Sequence, residues 1–261
     1  MTGARPVAIV TGGSGGIAPA IARQLLIKGH DVVLTARREA PLRACATDVA
    51  SAADGAVLAL SSDATDRASI ASFRDAVADR FGRIDVLVNA AASSTPIGGA
   101  IEDVNVDVLL GDLDTKVGGY LRYIQAVVPA MKRGGAGRII NIGGLTGRSS
   151  DTLSGLRNAA VAHLTKVLAD QLGPFGITVN AIHPGIVHTP HLEELFDELA
   201  AAEGVDRSDV MADFIANIPS RRILDPIEIG QVAAFLAGAE ASSINGESIS
   251  VDGGFSRGIY L

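Results

Sequence analysis

Val7-Ala8-Ile9-Val10, running straight into Thr11-Gly12-Gly13-Ser14-Gly15-Gly16-Ile17, is the stretch from which the architecture can be read. The short β-branched run predicts a buried strand. Ile17, Ile21 and Leu25, at helical spacing, predict a helix that stops near Gly29. A turn this tight needs residues free of a Cβ, both for positive φ and for close backbone approach. The helix start then offers free N–H groups and partial positive charge to whatever the turn wraps, which suits a pyrophosphate. A glycine string alone is weak evidence; between a strand and a helix it points to a nucleotide site.

The same unit recurs along the chain. Further runs are Asp31-Val32-Val33-Leu34-Thr35, Ala56-Val57-Leu58-Ala59-Leu60, Asp85-Val86-Leu87-Val88, Arg138-Ile139-Ile140-Asn141-Ile142 and Ile177-Thr178-Val179-Asn180-Ala181-Ile182, with Ser248-Ile249-Ser250-Val251 last. Helical patterns fall between them at 68–81, 113–131, 158–172 and 227–237. Nearly continuous apolar runs read as strands buried on both faces. Their alternation with helices predicts an α/β fold: a single-domain, Rossmann-like, doubly wound parallel sheet with helices on both faces. No repeat, low-complexity tract or linker divides the chain, so 1–261 reads as one dinucleotide-binding domain. Residues 189–220 break the rhythm with Glu193, Glu194, Asp197, Glu198 and Asp206 among scattered apolar side chains. They read as a helical substrate lid over the C-terminal edge of the sheet, where such folds hold their ligands.

Composition narrows the function classes. Of 261 residues 48% are apolar and 20% charged, too hydrophobic a balance for a disordered chain. A net charge of −7 argues against a nucleic-acid surface. The single cysteine, Cys45, excludes an intrachain disulfide and suits a reducing cytosol. No run approaches the roughly 20 apolar residues of a membrane span. The expectation is a cytoplasmic protein that binds neither nucleic acid nor membrane. After the second strand, Thr35-Ala36-Arg37-Arg38 lacks the acid that would accept from an NAD ribose. Arg37 instead offers a charge-assisted fork for a 2′-phosphate, so NADP is favoured over NAD.

With these segments in view, the sequence resembles the short-chain dehydrogenase/reductase superfamily over essentially its whole length. Thr11-Gly12 through Gly16-Ile17 is similar to the family's TGxxxGIG turn, with Ala18 in place of the last glycine. Asp63 resembles the acid that binds the adenine amino group, and Asn89-Ala90-Ala91-Ala92 the NNAG motif. The segment Asn180 to Thr189 resembles the NxxxPGxxxT stretch beside the nicotinamide, and Val251-Asp252-Gly253-Gly254 the closing strand. The resemblance implies a cofactor set of Thr11, Gly12, Ser14, Gly16, Ile17, Arg37, Asp63, Ala64, Asn89, Ala90, Ala91, Asn158, Pro184, Gly185, Ile186 and Thr189. It also implies a homo-oligomer, dimer or tetramer, assembled through the helices at 113–131 and 158–172.

The catalytic positions depart from the family. Its Tyr-x-x-x-Lys pair occurs nowhere in this chain. Anchored on His163-Leu164-Thr165-Lys166, the tyrosine falls at Ser154 and the lysine at Asn158, with a one-residue slip to Leu153 and Arg157 also open. The family's serine falls at Gly144 and its asparagine, aligned through Gln125 and Pro129, at Lys116. A partly desolvated Lys116 has the chemistry of a proton donor. Tyr120, one turn on, shares its face; Ser154 is expected to orient a substrate oxygen and Asn158 to hold the nicotinamide ribose. His188 is a lesser candidate acid/base. His183, His188 and His191 lie close in sequence but are interleaved with the cofactor-wrapping motif, which argues against a metal site. The implied function is NADP(H)-dependent interconversion of a small-molecule carbonyl and alcohol. The alternatives are a non-redox dehydratase, isomerase or cyclase on the same fold, and a catalytically silent nucleotide-binding subunit.

Overall fold

The computed structural model describes residues 4–92, 97–98, 100–148 and 152–258. Its strands are β1 (Val7–Thr11), β2 (Asp31–Ala36), β3 (Val57–Ser61), β4 (Val86–Asn89), β5 (Gly137–Ile142), β6 (Ile177–Pro184) and β7 (Ser248–Val251). The sequence runs mark each of these to within a residue or two. All pair in parallel, in the order β3-β2-β1-β4-β5-β6-β7. Chain direction across the sheet reverses between β1 and β4, which opens a crevice at their C-terminal ends.

Helices among the described residues are α1 (Ala18–Ile27), α2 (Glu39–Ala50), α3 (Arg67–Phe81), α4 (Val106–Leu113), α5 (Gly119–Gly134), α6 (Gly155–Leu172), α7 (Pro190–Glu203), α8 (Arg207–Ala216) and α9 (Pro226–Ala237). Ile21, Leu25, Leu42, Val49 and Ile229 from α1, α2 and α9 fill one side of the sheet against Val10, Leu34 and Val88. Phe73, Val77, Ile124, Val127 and Leu168 from α3, α5 and α6 fill the other, against Ile9, Leu87 and Ile139. Alternate strand residues thus feed two cores, and for this reason the strands read as unbroken apolar runs. No helix among the described residues is long and apolar enough to cross a membrane.

One element differs from expectation. The helix read as 113–131 begins at Val106 and carries a π-helical turn, Asp114–Gly118, between α4 and α5. Its widened ring leaves a carbonyl for a side chain to satisfy. Arg122 does so, donating to Asp114 O at 3.2 Å, to Asp114 Oδ1 at 2.5 Å and to Ala64 O at 3.1 Å. Gly119 permits the close approach, because a Cβ there would lie 2.9 Å from the Ala64 Cβ. Residues 189–220 are helical as expected. Leu192, Phe196 and Val210 of α7 and α8 form a small core of their own, with Phe196 and Phe214 edge to face at 5.1 Å.

Candidate active site

The glycine turn builds the floor of the crevice. Gly13 N donates to Thr35 O at 3.0 Å, tying the turn to the end of β2. Gly12 has φ +71°, and a Cβ there would meet Ala90 O at 2.9 Å. Gly16 has φ +61° with open space where a side chain would stand, as has Gly15. Ile17 caps α1 with no side-chain acceptor on its first N–H groups. This cradle fits a pyrophosphate: backbone donors, positive dipole and no Cβ in the way. Ser14 and Ile17 are half-buried on its rim.

Several residues expected to touch the cofactor also tie together the elements around the cradle. The Thr11 hydroxyl accepts from Ala90 N at 2.9 Å and Ala91 N at 3.1 Å, stapling the turn to the end of β4. Asn89 is fully buried and donates to Asn141 Oδ1 at 2.9 Å; Asn141 in turn donates to the Thr165 hydroxyl at 3.0 Å. The Asn89 amide is thus sealed between β4, β5 and α6. Ala64 is buried against α5, its carbonyl taken by Arg122. Thr189 caps α7, its hydroxyl accepting from Leu192 N at 3.3 Å. Gly185 lets the chain leaving β6 pass Asp252, whose Cα would lie 2.6 Å from an added Cβ.

Arg37 stands exposed just beyond β2, and Asp63 half-buried just beyond β3. Asp63 Oδ1 accepts from Thr65 N at 2.9 Å and Thr65 Oγ1 at 2.8 Å. These bonds, with Arg37 nearby, hold its carboxyl below the ordinary range. The corner next to the turn therefore presents one guanidinium and one ionised carboxylate.

The end of β5 brings Lys116, Asn158 and Gly144 together. Lys116 lies in the π turn and is 4% exposed. Its ammonium donates to Gly143 O at 3.0 Å and to Asn158 Oδ1 at 2.9 Å, which leaves a third N–H. Burial, with Arg157 nearby, lowers its pKa from 10.5 to about 7, while Asp112 opposes the shift. Asp112 is itself buried and ion-paired to Arg157. It thus offsets a second cation rather than serving Lys116 alone.

Asn158 meets Lys116 and lies against Gly144, whose added Cβ would be 2.8 Å from Asn158 Nδ2, whereas Arg157 turns to Asp112. Asn158 is engaged at both ends, Oδ1 by Lys116 and Nδ2 by the Thr146 hydroxyl at 2.7 Å. Ser154 Oγ accepts from Ile97 N at 3.3 Å, fastening residue 97 to the start of α6. Tyr120 is fully buried and donates to Ile142 O at 2.9 Å, with burial pushing its hydroxyl pKa up. Its hydroxyl braces β5 and does not meet Lys116.

The histidines separate. His183 is buried against Gly143 and Gly144, with Nδ1 3.2 Å from Gly144 O. His188 is exposed and 2.7 Å from Glu193, which also pairs with Arg207; His191 is exposed beside Glu194. No cluster that fits a metal ion occurs among the described residues.

The buried ammonium makes stability pH-dependent. Above pH 7 the folded chain has released a Lys116 proton that the unfolded chain keeps up to its ordinary pKa of 10.5. Stability contributed by this group therefore rises with pH across that window. Denaturant unfolding of wild type and Lys116→Met at pH 7 and pH 9 should show wild type gaining roughly 2–3 kcal/mol relative to the variant. Parallel changes in the two proteins would mean that the amine is not desolvated.

A family model described as enoyl-(acyl carrier protein) reductase matches residues 12–256. A short-chain reductase protein of Streptomyces niveus is 36% identical over 259 residues, covering 95% of this chain and 93% of that one. Among solved structures, the L-sorbose reductase of Gluconobacter frateurii, complexed with NADPH and L-sorbose, superimposes with a TM-score of 0.92 at 26% identity and 98% coverage of both chains. A variant of the actinorhodin polyketide ketoreductase with NADPH gives 0.90 at 30% identity, covering 97% of this chain and 98% of that one.

Proposed function

This chain belongs to the short-chain dehydrogenase/reductase family of oxidoreductases, and from that premise we propose that it interconverts a small-molecule carbonyl and an alcohol with NADP(H), using Lys116 in place of the usual Tyr-x-x-x-Lys machinery. The observation that carries this reading is the Lys116 ammonium, buried at the end of β5 and poised to titrate at about 7. A general acid is most effective with a pKa near the operating pH. The NADPH complexes of the sorbose reductase and the ketoreductase support the cofactor, as does Arg37 where an acid would disfavour a 2′-phosphate.

When bound, the reduced nicotinamide supplies the hydride to the carbonyl carbon. The chain supplies position and one proton. The Gly12 to Ile17 cradle, Arg37 and Asp63 hold the dinucleotide, while Pro184, Gly185 and Ile186 line its nicotinamide side. The third N–H of Lys116 meets the substrate oxygen and protonates it as the C–O π pair moves there, leaving a neutral amine that solvent recharges. Asn158 and Gly143 O fix that ammonium. Helices α7 and α8 act as a lid that excludes water. Assembly into a dimer or tetramer would run through the helices at 113–131 and 158–172, on the second of which Val167 is exposed.

The test is NADPH oxidation followed by absorbance against 3-ketoacyl thioesters and ketoses. The expected result is turnover of at least one class, with NADH far poorer. Product formation without an absorbance change would favour a dehydration or isomerisation. Tight NADPH binding with no chemistry on any substrate would favour a silent subunit.

A further inference from the structure

Two further charges are buried next to Lys116, and they are joined to each other. Asp112 stands on α4 four residues before Lys116, a spacing that brings two side chains to one face of a helical run. Arg157 precedes Asn158 on α6, and the Asn158 amide accepts from Lys116 at 2.9 Å. Arg157 donates to Asp112 Oδ1, and this ion pair ties α4 to α6 with side-chain exposures of 15% and 3%. Asp112 Oδ2 is buried and accepts no hydrogen bond among the described residues. The pair thus engages one carboxylate oxygen and leaves the other unengaged. Beyond the effect of burial, Lys116 feels both charges, Arg157 lowering its proton affinity and Asp112 raising it. The other titratable groups on the surrounding elements, among the described residues, face other partners. Tyr120 of α5 donates to Ile142 O, His183 of β6 lies against Gly144, and Asp114 of the π turn pairs with Arg122 of α5.

We propose that Arg157 is a positioning residue for the proton transfer: by occupying Asp112 it denies Lys116 a carboxylate partner and leaves the ammonium held by neutral acceptors alone, Gly143 O and Asn158 Oδ1. The inference rests on the reading of Lys116 as the acid and names what keeps it one. An ammonium that met Asp112 would form a buried ion pair, which favours the charged form and retains the proton. Held by neutral acceptors in a low-dielectric position, the same ammonium gives its proton up more readily. Asp112 and Arg157 therefore act on Lys116 with opposite sign, and their mutual contact decides which of them prevails.

The chain has four lysines, so carbon-13 labelling of lysine with a Lys116→Met control singles out the Lys116 Cε resonance, which follows the amine through its titration without any turnover. That titration and the pH profile of kcat for NADPH-dependent reduction are compared in wild type, Arg157→Met, Asp112→Asn and the double variant. Released from Arg157, Asp112 should pair with Lys116, raising the midpoint by about one pH unit or more and carrying the falling limb of kcat with it. In Asp112→Asn the Arg157 charge is uncompensated, and the midpoint should fall by about as much. The double variant, with neither charge, should return to within about half a pH unit of wild type. If Arg157→Met does not fold, Asp112→Asn is set against the double variant, which differs from it only at Arg157 and should titrate about one unit higher. Midpoints in the single variants that stay within about 0.3 unit of wild type, or that move the same way, overturn the inference. They reduce the pair to a brace between α4 and α6 and leave the reductase reading standing. A wild type that reduces no carbonyl with NADPH overturns the reading itself, and with it the catalytic role of Arg157, whatever the titrations show.

Discussion

Lys116→Met should lower kcat for NADPH-dependent carbonyl reduction by about a thousandfold, within the range contributed by a positioned general acid. Methionine keeps the length of the side chain but removes the proton. It also withdraws the donor from Gly143 O and Asn158 Oδ1, two acceptors that Lys116 satisfies in a nearly sealed position. NADPH affinity should change little, because Lys116 lies away from the glycine cradle and the Arg37 corner. Lys116→Arg should not rescue turnover, since a guanidinium does not release its proton near neutrality. Steady-state rates and a separate NADPH titration distinguish lost chemistry from lost binding. A Met variant within about tenfold of wild type would remove Lys116 from the proton path.

Arg37→Asp should raise the NADPH dissociation constant roughly one-hundredfold and leave NADH binding unchanged or tighter. Arg37 is exposed at the end of β2, where a 2′-phosphate would meet it, and Asp63 stands near. Replacing the guanidinium by a carboxylate removes a charge-assisted bond and puts a second anion beside the first. An NAD ribose gains from the same change, because the new carboxylate accepts from its 2′-hydroxyl. Paired titrations with the two cofactors check this. Equal weakening of both would show that Arg37 supports the loop without reading the phosphate.

Much of the architecture was legible because buried parallel strands leave a strong mark. Val7 to Val10 and Ile139 to Ile142 serve cores on both faces, so their apolar character runs unbroken, and the glycine turn fixes where the crevice must open. The positions of Lys116 and Asn158 were also accessible, by alignment through Pro129 and Lys166. Their contact with each other was not. It depends on the π turn at Asp114–Gly118, which rests on Arg122 bracing the turn and on Gly119 meeting Ala64. The adjacent Gly118-Gly119 pair inside a helical pattern was the one local signal of that irregularity. Roles that hinge on side-chain direction were the least legible. Tyr120 and Ser154 sit near the site and engage their hydroxyls with backbone groups, and Asn89 turns its amide N–H to Asn141.

The account turns on a lysine that surrenders its proton near neutrality because it is buried beside an arginine and has no carboxylate of its own. The most direct measurement is kcat for NADPH-dependent reduction as a function of pH at saturating substrate. Reduction needs the ammonium, so the rate should be level below about 7 and fall tenfold per pH unit above it. Alcohol oxidation should show the opposite limb, rising to a plateau above the same pH. A reduction rate that stays level through neutrality and falls only where an ordinary lysine titrates, or does not fall at all, would contradict the assignment of Lys116 as the proton donor.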